Sequence, residues 1–310
     1  MRIVFMGTPE SAVPSLQRLL QDGHDIAAVW TQPDRPAGRG DRMHSPPIKQ
    51  FALDHALPLL QPLKIRTDQA KVLFASYAAD VAVVVAYGRI LPAEFLRAPR
   101  RGCLNVHFSL LPLYRGAAPA NWAIVNGEAK TGVTTMFIEE DLDTGPILLQ
   151  RETEIGETET APELMGRLSI IGADLLSETL NQLDTLTPRP QRSDEATFAP
   201  MLKKNDGIVD WSRDAAQIER CVRGFQPWPT AYTSHHRRRL IIWKAAAEAS
   251  ALVAQPGEVV FAHGDDLLVK CDDATALRLF EVQPEAKRRM SVRDFLNGTH
   301  LKVGDRFGEV

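Results

Sequence analysis

The sequence predicts an α/β chain in two parts: a Rossmann-like, doubly wound, mostly parallel sheet, then a small OB-like β-barrel. Three observations carry this. A βαβ unit opens the chain, with a strand over Arg2–Met6, a turn at Gly7–Glu10, a helix over Ser11–Leu20 and a second strand over Asp25–Thr31. Residues 81–86, VAVVVA, are apolar on both faces, as a central parallel strand requires. Beyond residue 207 the pattern changes to short strands punctuated by turns, the habit of small barrels. The implied boundaries are 1–188 for the first domain, 189–207 for a linker rich in proline and charge, and 208–310 for the second domain.

Each remaining element follows from its own pattern. Val13, Leu16, Leu19 and Leu20 give the first helix its apolar stripe. Further helices fit Ile48–His55 and Asp68–Ala78, with a short strand at Leu59 and Leu60 between them. A helix over Ala120–Asn126, strands over Gly132–Ile138 and Ile147–Glu154, and a long helix over Thr160–Leu186 complete the first domain. The second has one helix, Ala215–Gly224, and strands over Thr230–Ser234, Leu240–Ala245, Gly257–Ala262, Asp266–Lys270 and Ala276–Val282. Only Gly7 stands where a dinucleotide fingerprint needs three glycines, which argues against a nicotinamide cofactor.

Composition narrows the class. Hydrophobic residues make up 44% of the 310 and charged residues 24%, the balance of an ordinary globular protein. No apolar run has the length of a membrane span, and Gly7 and Pro9 interrupt the N-terminus before a signal-peptide core forms, so a cytoplasmic chain is expected. Cys103, Cys221 and Cys271 lie far apart without metal-ligand spacing and read as reduced, buried thiols. The net charge of −3 gives no overall attraction to nucleic acid. Phosphate contacts depend on local patches, however, and cations cluster at Arg35, Arg39 and Arg42, at Lys203 and Lys204, at Arg237, Arg238 and Arg239, and at 287–289. The first cluster sits in QPDRPAGRGDRMHSPP, residues 32–47, which is too polar to pack and reads as a basic flap, with Lys49 beside it and Asp41 slightly weakening it.

The chemistry concentrates after residue 103. Leu104–Phe108 reads as a buried strand, yet Asn105 and His107 lie two residues apart on one of its faces. Buried polar side chains are costly unless partnered, and the strand opens at once into Ser109, Leu110, Leu111 and Pro112. The carboxyl ends of such strands are where α/β sheets place ligands. Asp143, in DLDTGP, supplies a carboxylate, and Gly145 lets the backbone pass close by. Singly, these are a strand-end amide, a core histidine and a turn aspartate. Together, an amide donor, an imidazole and a carboxylate are the groups that stabilise an oxyanion and move protons in acyl transfer.

The order Asn-x-His, Ser-Leu-Leu-Pro-x-Tyr-Arg-Gly, Asp-x-Asp-Thr-Gly resembles the folate-dependent formyltransferases, and the resemblance spans the chain. Within them it is nearest to the members that formylate a charged initiator tRNA. It implies 10-formyltetrahydrofolate as formyl donor, initiator methionyl-tRNA as acceptor, and no metal. It implies catalytic roles for Asn105, His107 and Asp143. Folate contacts would come from Ser109, Leu110, Leu111 and Pro112 and from Arg89, Ile90 and Leu91. tRNA contacts would come from Arg35, Arg39, Arg42, Lys203, Lys204, Arg237, Arg238 and Arg239. A monomer is expected, since no apolar interface segment stands out. Two alternatives stay open: a formyltransferase or hydrolase acting on a small amine or water, and a non-catalytic RNA-binding module.

Overall fold

Val4 and Met6 on one face of the first strand and Ile3 and Phe5 on the other are all fully buried, so this strand lies inside a sheet covered on both sides. The computed structural model describes residues 1–37, 42–272 and 274–308, apart from the side chains of Ala37 and Arg42. Its elements in the first half are β1 (Arg2–Gly7), α1 (Val13–Gln21), β2 (Asp25–Trp30), β3 (Arg35–Ala37), β4 (Arg42–His44), α2 (Pro47–Asp54), β5 (Leu59–Leu60), α3 (Asp68–Ser76), β6 (Val81–Val85), α4 (Ala93–Arg97), β7 (Cys103–His107), β8 (Arg115–Gly116), α5 (Pro119–Asn126), β9 (Lys130–Phe137), β10 (Ile147–Glu154) and α6 (Ala161–Gln182). Seven strands form one sheet in the order β10-β9-β7-β6-β1-β2-β5. Pairing is parallel from β7 through β5, while β9 runs antiparallel to β7. This is the doubly wound, mostly parallel sheet that the sequence predicts.

The topology places the chemistry. The chain first builds outward from β1 to β2 and β5, then returns to set β6 and β7 on the other side of β1. Order therefore reverses between β1 and β6, and the crevice of such a sheet opens at the carboxyl ends there. On the face shared by Ala82 and Val84, an aromatic group closes the core: Trp30 meets Phe74 and Phe95 edge-on, each at 5.5 Å between ring centres. Local signals set the helix starts, as where the Thr67 hydroxyl accepts from the Ala70 N–H at the head of α3.

The chain divides into two compact units. One comprises Met1–Pro119, Thr131–Glu154 and Met165–Ala199; the other comprises Ala120–Lys130, Ile155–Leu164 and Pro200–Val310. In the second, α7 (Ala215–Gly224) starts at Asp214, whose carboxylate accepts from the N–H groups of Ala216 and Gln217. With β11 at Phe198–Ala199, the following strands are β12 (Ala231–His235), β13 (Arg238–Ala249), β14 (Val259–His263), β15 (Asp266–Lys270), β16 (Thr275–Pro284) and β17 (Met290–Ser291), before α8 (Val292–Asn297). They make an antiparallel sheet ordered β12-β13-β16-β15-β14, with β17 on β16. Leu240, Ile242, Leu267, Val269, Leu277 and Leu279 form the heart of its core with Ile218 and Val222 of α7. Among the described residues no helix is long and apolar enough to cross a membrane.

Two local expectations change. Within 32–47, read as a basic flap, β3 pairs antiparallel with β4, Arg35 opposite His44. Strand β13 runs on to Ala249, past the expected end at Ala245, because β16 pairs along it as far as Ala249 opposite Thr275. Within the segment 189–207, Arg189 and Ile147 exchange backbone hydrogen bonds of 2.8 Å, and β11 pairs parallel with β8.

Candidate active site

Strand β7 presents its polar residues at the sheet's carboxyl edge. Asn105 lies beside Val84 of β6 and Met136 of β9, and His107 beside Thr134. Asn105 is half-buried, and among the described residues no hydrogen bond engages its side chain. His107 is buried, and its Nε2 lies 3.0 Å from the Tyr114 carbonyl oxygen. A carbonyl can only accept, so Nε2 carries the hydrogen of that bond. Nδ1 is left facing Asp143, 3.7 Å from Oδ2. At that separation the two groups lie within ion-pair reach but share no hydrogen bond.

Two loops hold this pair, and each bends where few residues can. Asp143 (φ +53°) and Tyr114 (φ +60°) are both left-handed, a conformation that aspartate tolerates and a bulky residue adopts only when its surroundings enforce it. Tyr114 is held from both sides: its N–H donates to the Thr197 hydroxyl at 2.8 Å and its carbonyl accepts from His107. The Gly116 N–H donates to Asp143 Oδ2 at 2.9 Å. Gly116 has φ +129°, and a Cβ there would lie 2.4 Å from the Ala199 carbonyl oxygen; at Gly145 it would lie 1.9 Å from that of Phe137. Both positions need glycine, the second for the close backbone passage read from the sequence.

The remaining predicted residues separate by placement. Ser109 is fully buried and its hydroxyl donates to the Leu113 carbonyl at 2.6 Å, so it shapes the turn. Leu111 is buried against Met136 and Ile147, while its N–H and carbonyl are held by Thr134 and Gln150; Leu110 and Pro112 are half-buried. Leu91 belongs to the core around Trp30 and Phe95, and Ile90 is exposed. Arg89 donates to the Gln32 side chain at 3.1 Å and to the Pro62 carbonyl at 3.2 Å. Gln32 in turn donates to the Tyr87 carbonyl, so this segment is braced from β2's end.

The cations divide likewise. Arg35, Lys203, Lys204, Arg237 and Arg238 are exposed. Arg239 is not available in the same way: it lies 3.8 Å above the Tyr232 ring and donates to the Pro229 carbonyl. Lys49 pairs with Asp34 at 2.6 Å, and this bond holds the Asp34 carboxyl below its ordinary range. Arg39 and Asp41 lie outside the described residues, as does the side chain of Arg42. Cys103 and Cys271 are buried and Cys221 is half-buried, all free thiols; burial pushes Cys103 and Cys271 up to about 12.

Sequence reasoning missed Gln191. Its Nε2 donates to the carbonyls of Asp143 at 2.8 Å and Gly145 at 2.7 Å, while its Oε1 accepts from Arg115 Nε and Nη2 at 3.0 and 2.8 Å. Nothing in its neighbourhood, PRPQRSDEA, has periodicity or a motif that would single it out.

An unengaged amide and a buried imidazole share one face of β7, and a carboxylate lies 3.7 Å from that imidazole, groups that acyl-transfer chemistry uses. The chain belongs to the formyl transferase family: the formyl transferase model matches residues 1–180 and the formyl transferase C-terminal domain model residues 201–300. It is 45% identical over 308 residues to the methionyl-tRNA formyltransferase of Geobacter metallireducens, covering 99% of this chain and 98% of that one. Among solved structures it resembles WlaRD, a sugar 3N-formyl transferase crystallised in the presence of dTDP and 5-N-formyl-THF, with TM-score 0.67, 18% identity and coverage of 93% and 99%. It also resembles HypX from Aquifex aeolicus in complex with tetrahydrofolic acid, with TM-score 0.65, 19% identity and coverage of 96% of this chain and 47% of that one. At those identities the likeness is one of fold.

Proposed function

We propose that this chain transfers the formyl group of 10-formyltetrahydrofolate to the α-amine of methionine on initiator tRNA. The observation that carries the reading is the His107–Asp143 pair, 3.7 Å apart, beside the unengaged amide of Asn105. The 45% identity to a full-length relative of that name supports it. The amine lone pair attacks the formyl carbon, forming a C–N bond as the carbonyl electrons move to oxygen. Asn105 donates an N–H to the resulting oxyanion, and His107 adds its Nδ1–H when that nitrogen is protonated. Asp143 sets its negative charge against Nδ1, the nitrogen that exchanges protons, because Nε2 is held by Tyr114. As the C–N10 bond breaks, its electron pair returns to N10 of the folate. The proton shed by the attacking amine passes through the His107–Asp143 pair to N10, and charge balances.

Residues 1–188 would carry the reaction, 189–207 connect, and 208–310 bind tRNA. Arg35, Lys203, Lys204, Arg237 and Arg238 are the exposed cations for phosphates, joined by Arg39 and Arg42. The half-buried Leu110 and Pro112 and the exposed Ile90 would offer apolar surface to the pterin. The protein would work as a cytoplasmic monomer. A transfer assay with labelled formyl-folate and charged initiator or elongator tRNA tests this. Labelled N-formylmethionine on initiator tRNA alone is expected; release of free formate, or formylation of a small amine instead, would refute it.

A further inference from the structure

We infer that Gln191 is a positioning residue for the reaction proposed above, acting through Asp143 and His107. A single side-chain amide spans the two loops of the site. Its N–H groups hold the Asp143 and Gly145 carbonyls, at 2.8 and 2.7 Å, so it fixes the backbone of the turn while the Gly116 N–H holds the carboxylate. Its oxygen takes two hydrogen bonds from Arg115, which is buried. Arg115 stands between Tyr114, whose carbonyl holds His107 Nε2, and Gly116, whose N–H holds Asp143 Oδ2. Both members of the proton-exchanging pair are thus referenced to one amide.

Only glutamine's chemistry fits. A carboxylate there would keep the oxygen that Arg115 needs but would face two carbonyls with no hydrogen to offer, and an apolar side chain would serve neither loop. The left-handed conformation is one that Asp143 tolerates, so these hydrogen bonds set where its turn sits rather than hold it against strain. Displacing a catalytic group by about 1 Å lowers turnover by as much as about 10²-fold.

The test rests on the proposed reaction, so wild-type protein is assayed first: no transfer to charged initiator tRNA refutes that reading, whatever Gln191 does. With transfer established, Gln191→Glu and Gln191→Met are compared with wild type per folded molecule. The expected result for Q191E is a kcat lower by about 10- to 10²-fold, with KM for tRNA and for folate changed by less than about twofold. Combined with Asp143→Ala, it should lower kcat no further than Asp143→Ala alone, because the amide acts through that carboxylate. A Q191E enzyme with wild-type kcat, or a loss that adds in full to that of Asp143→Ala, overturns the inference. So does failure of both variants to fold, which would make Gln191 a residue of stability alone.

Discussion

Strands β6 and β7 are neighbours in the same sheet, run in the same direction and begin in the same core, yet they end differently. On one face β6 reads Ala82 then Val84, buried throughout; on the same face β7 reads Cys103, Asn105, His107. Val84 and Asn105 are register partners. An amide beside a valine at the centre of a sheet costs stability unless it is partnered, and Asn105's side chain has no partner among the described residues. Under the proposed function, the difference means that β6 serves the fold and β7 a ligand that completes it. Replacing polar residues of β7 should therefore damage turnover and spare stability; replacing apolar residues of β6 should do the reverse.

The largest expected effect comes from the β7 side of that comparison. His107→Ala or Asp143→Ala should lower kcat by about 10²- to 10⁴-fold, the range of a positioned acid-base group, and Asn105→Ala by about 10²-fold as a lost oxyanion donor. tRNA affinity, measured by filter binding, should stay within about twofold, since none of the three is a phosphate donor. Near-normal turnover in any of them would put chemistry elsewhere. Next, Val83→Ala, on the opposite face of β6 and fully buried, should lower unfolding free energy by about 2 kcal/mol through lost burial and a cavity, with kcat per folded molecule unchanged. A turnover defect there would erase the distinction between the two strands.

The contrast also shows what can be read from a sequence and what cannot. Asn105 and His107 stand out because they break an apolar run at period two, and Asp143 because a Thr-Gly-Pro turn follows it. The sheet is legible for the same reason, since Val-rich central strands and amphipathic helices announce themselves locally. Gln191 and the β8–β11 pair are not legible. Two-residue strands carry no periodicity, and what makes Gln191 matter is a contact across 48 residues with the Asp143 carbonyl. The pairing of β3 with β4 is hidden behind proline and arginine, residues that signal loops on their own account. The end of β13 is hidden as well, because its alanines have little strand preference and are recruited by β16. Arg239 reads as one of three equivalent cations, and only the structure shows the Tyr232 ring beneath it.

That last division predicts a smaller effect in the second unit. Replacing Arg237 and Arg238 together should reduce the slope of log affinity against log salt by about two, roughly one per lost phosphate contact, without lowering the melting temperature. Arg239→Ala should do the opposite, since removing it deprives Tyr232 of a cation and the Pro229 carbonyl of a donor. Equal salt slopes for the two variants would mean that the hairpin tip does not meet the phosphates.

The smallest effect returns to β7, whose first residue belongs to the fold as fully as anything in β6. Cys103 shares the core with Ala82 and Val84, and burial raises its thiol from 9.0 to about 12. Between those values the unfolded chain has released a proton that the folded chain retains. Stability from this residue is therefore complete below about pH 8 and declines as pH rises from about 9 towards 12. Urea midpoints of wild type and Cys103→Ala, compared across that range, isolate the effect from other alkaline titrations. The cavity in the variant is a constant offset, so the wild type's advantage should narrow with rising pH. A constant advantage would mean that the thiol ionises as freely in the sheet as in water. The amino end of β7 would then be open to solvent, and the line between its structural start and its chemical end would vanish.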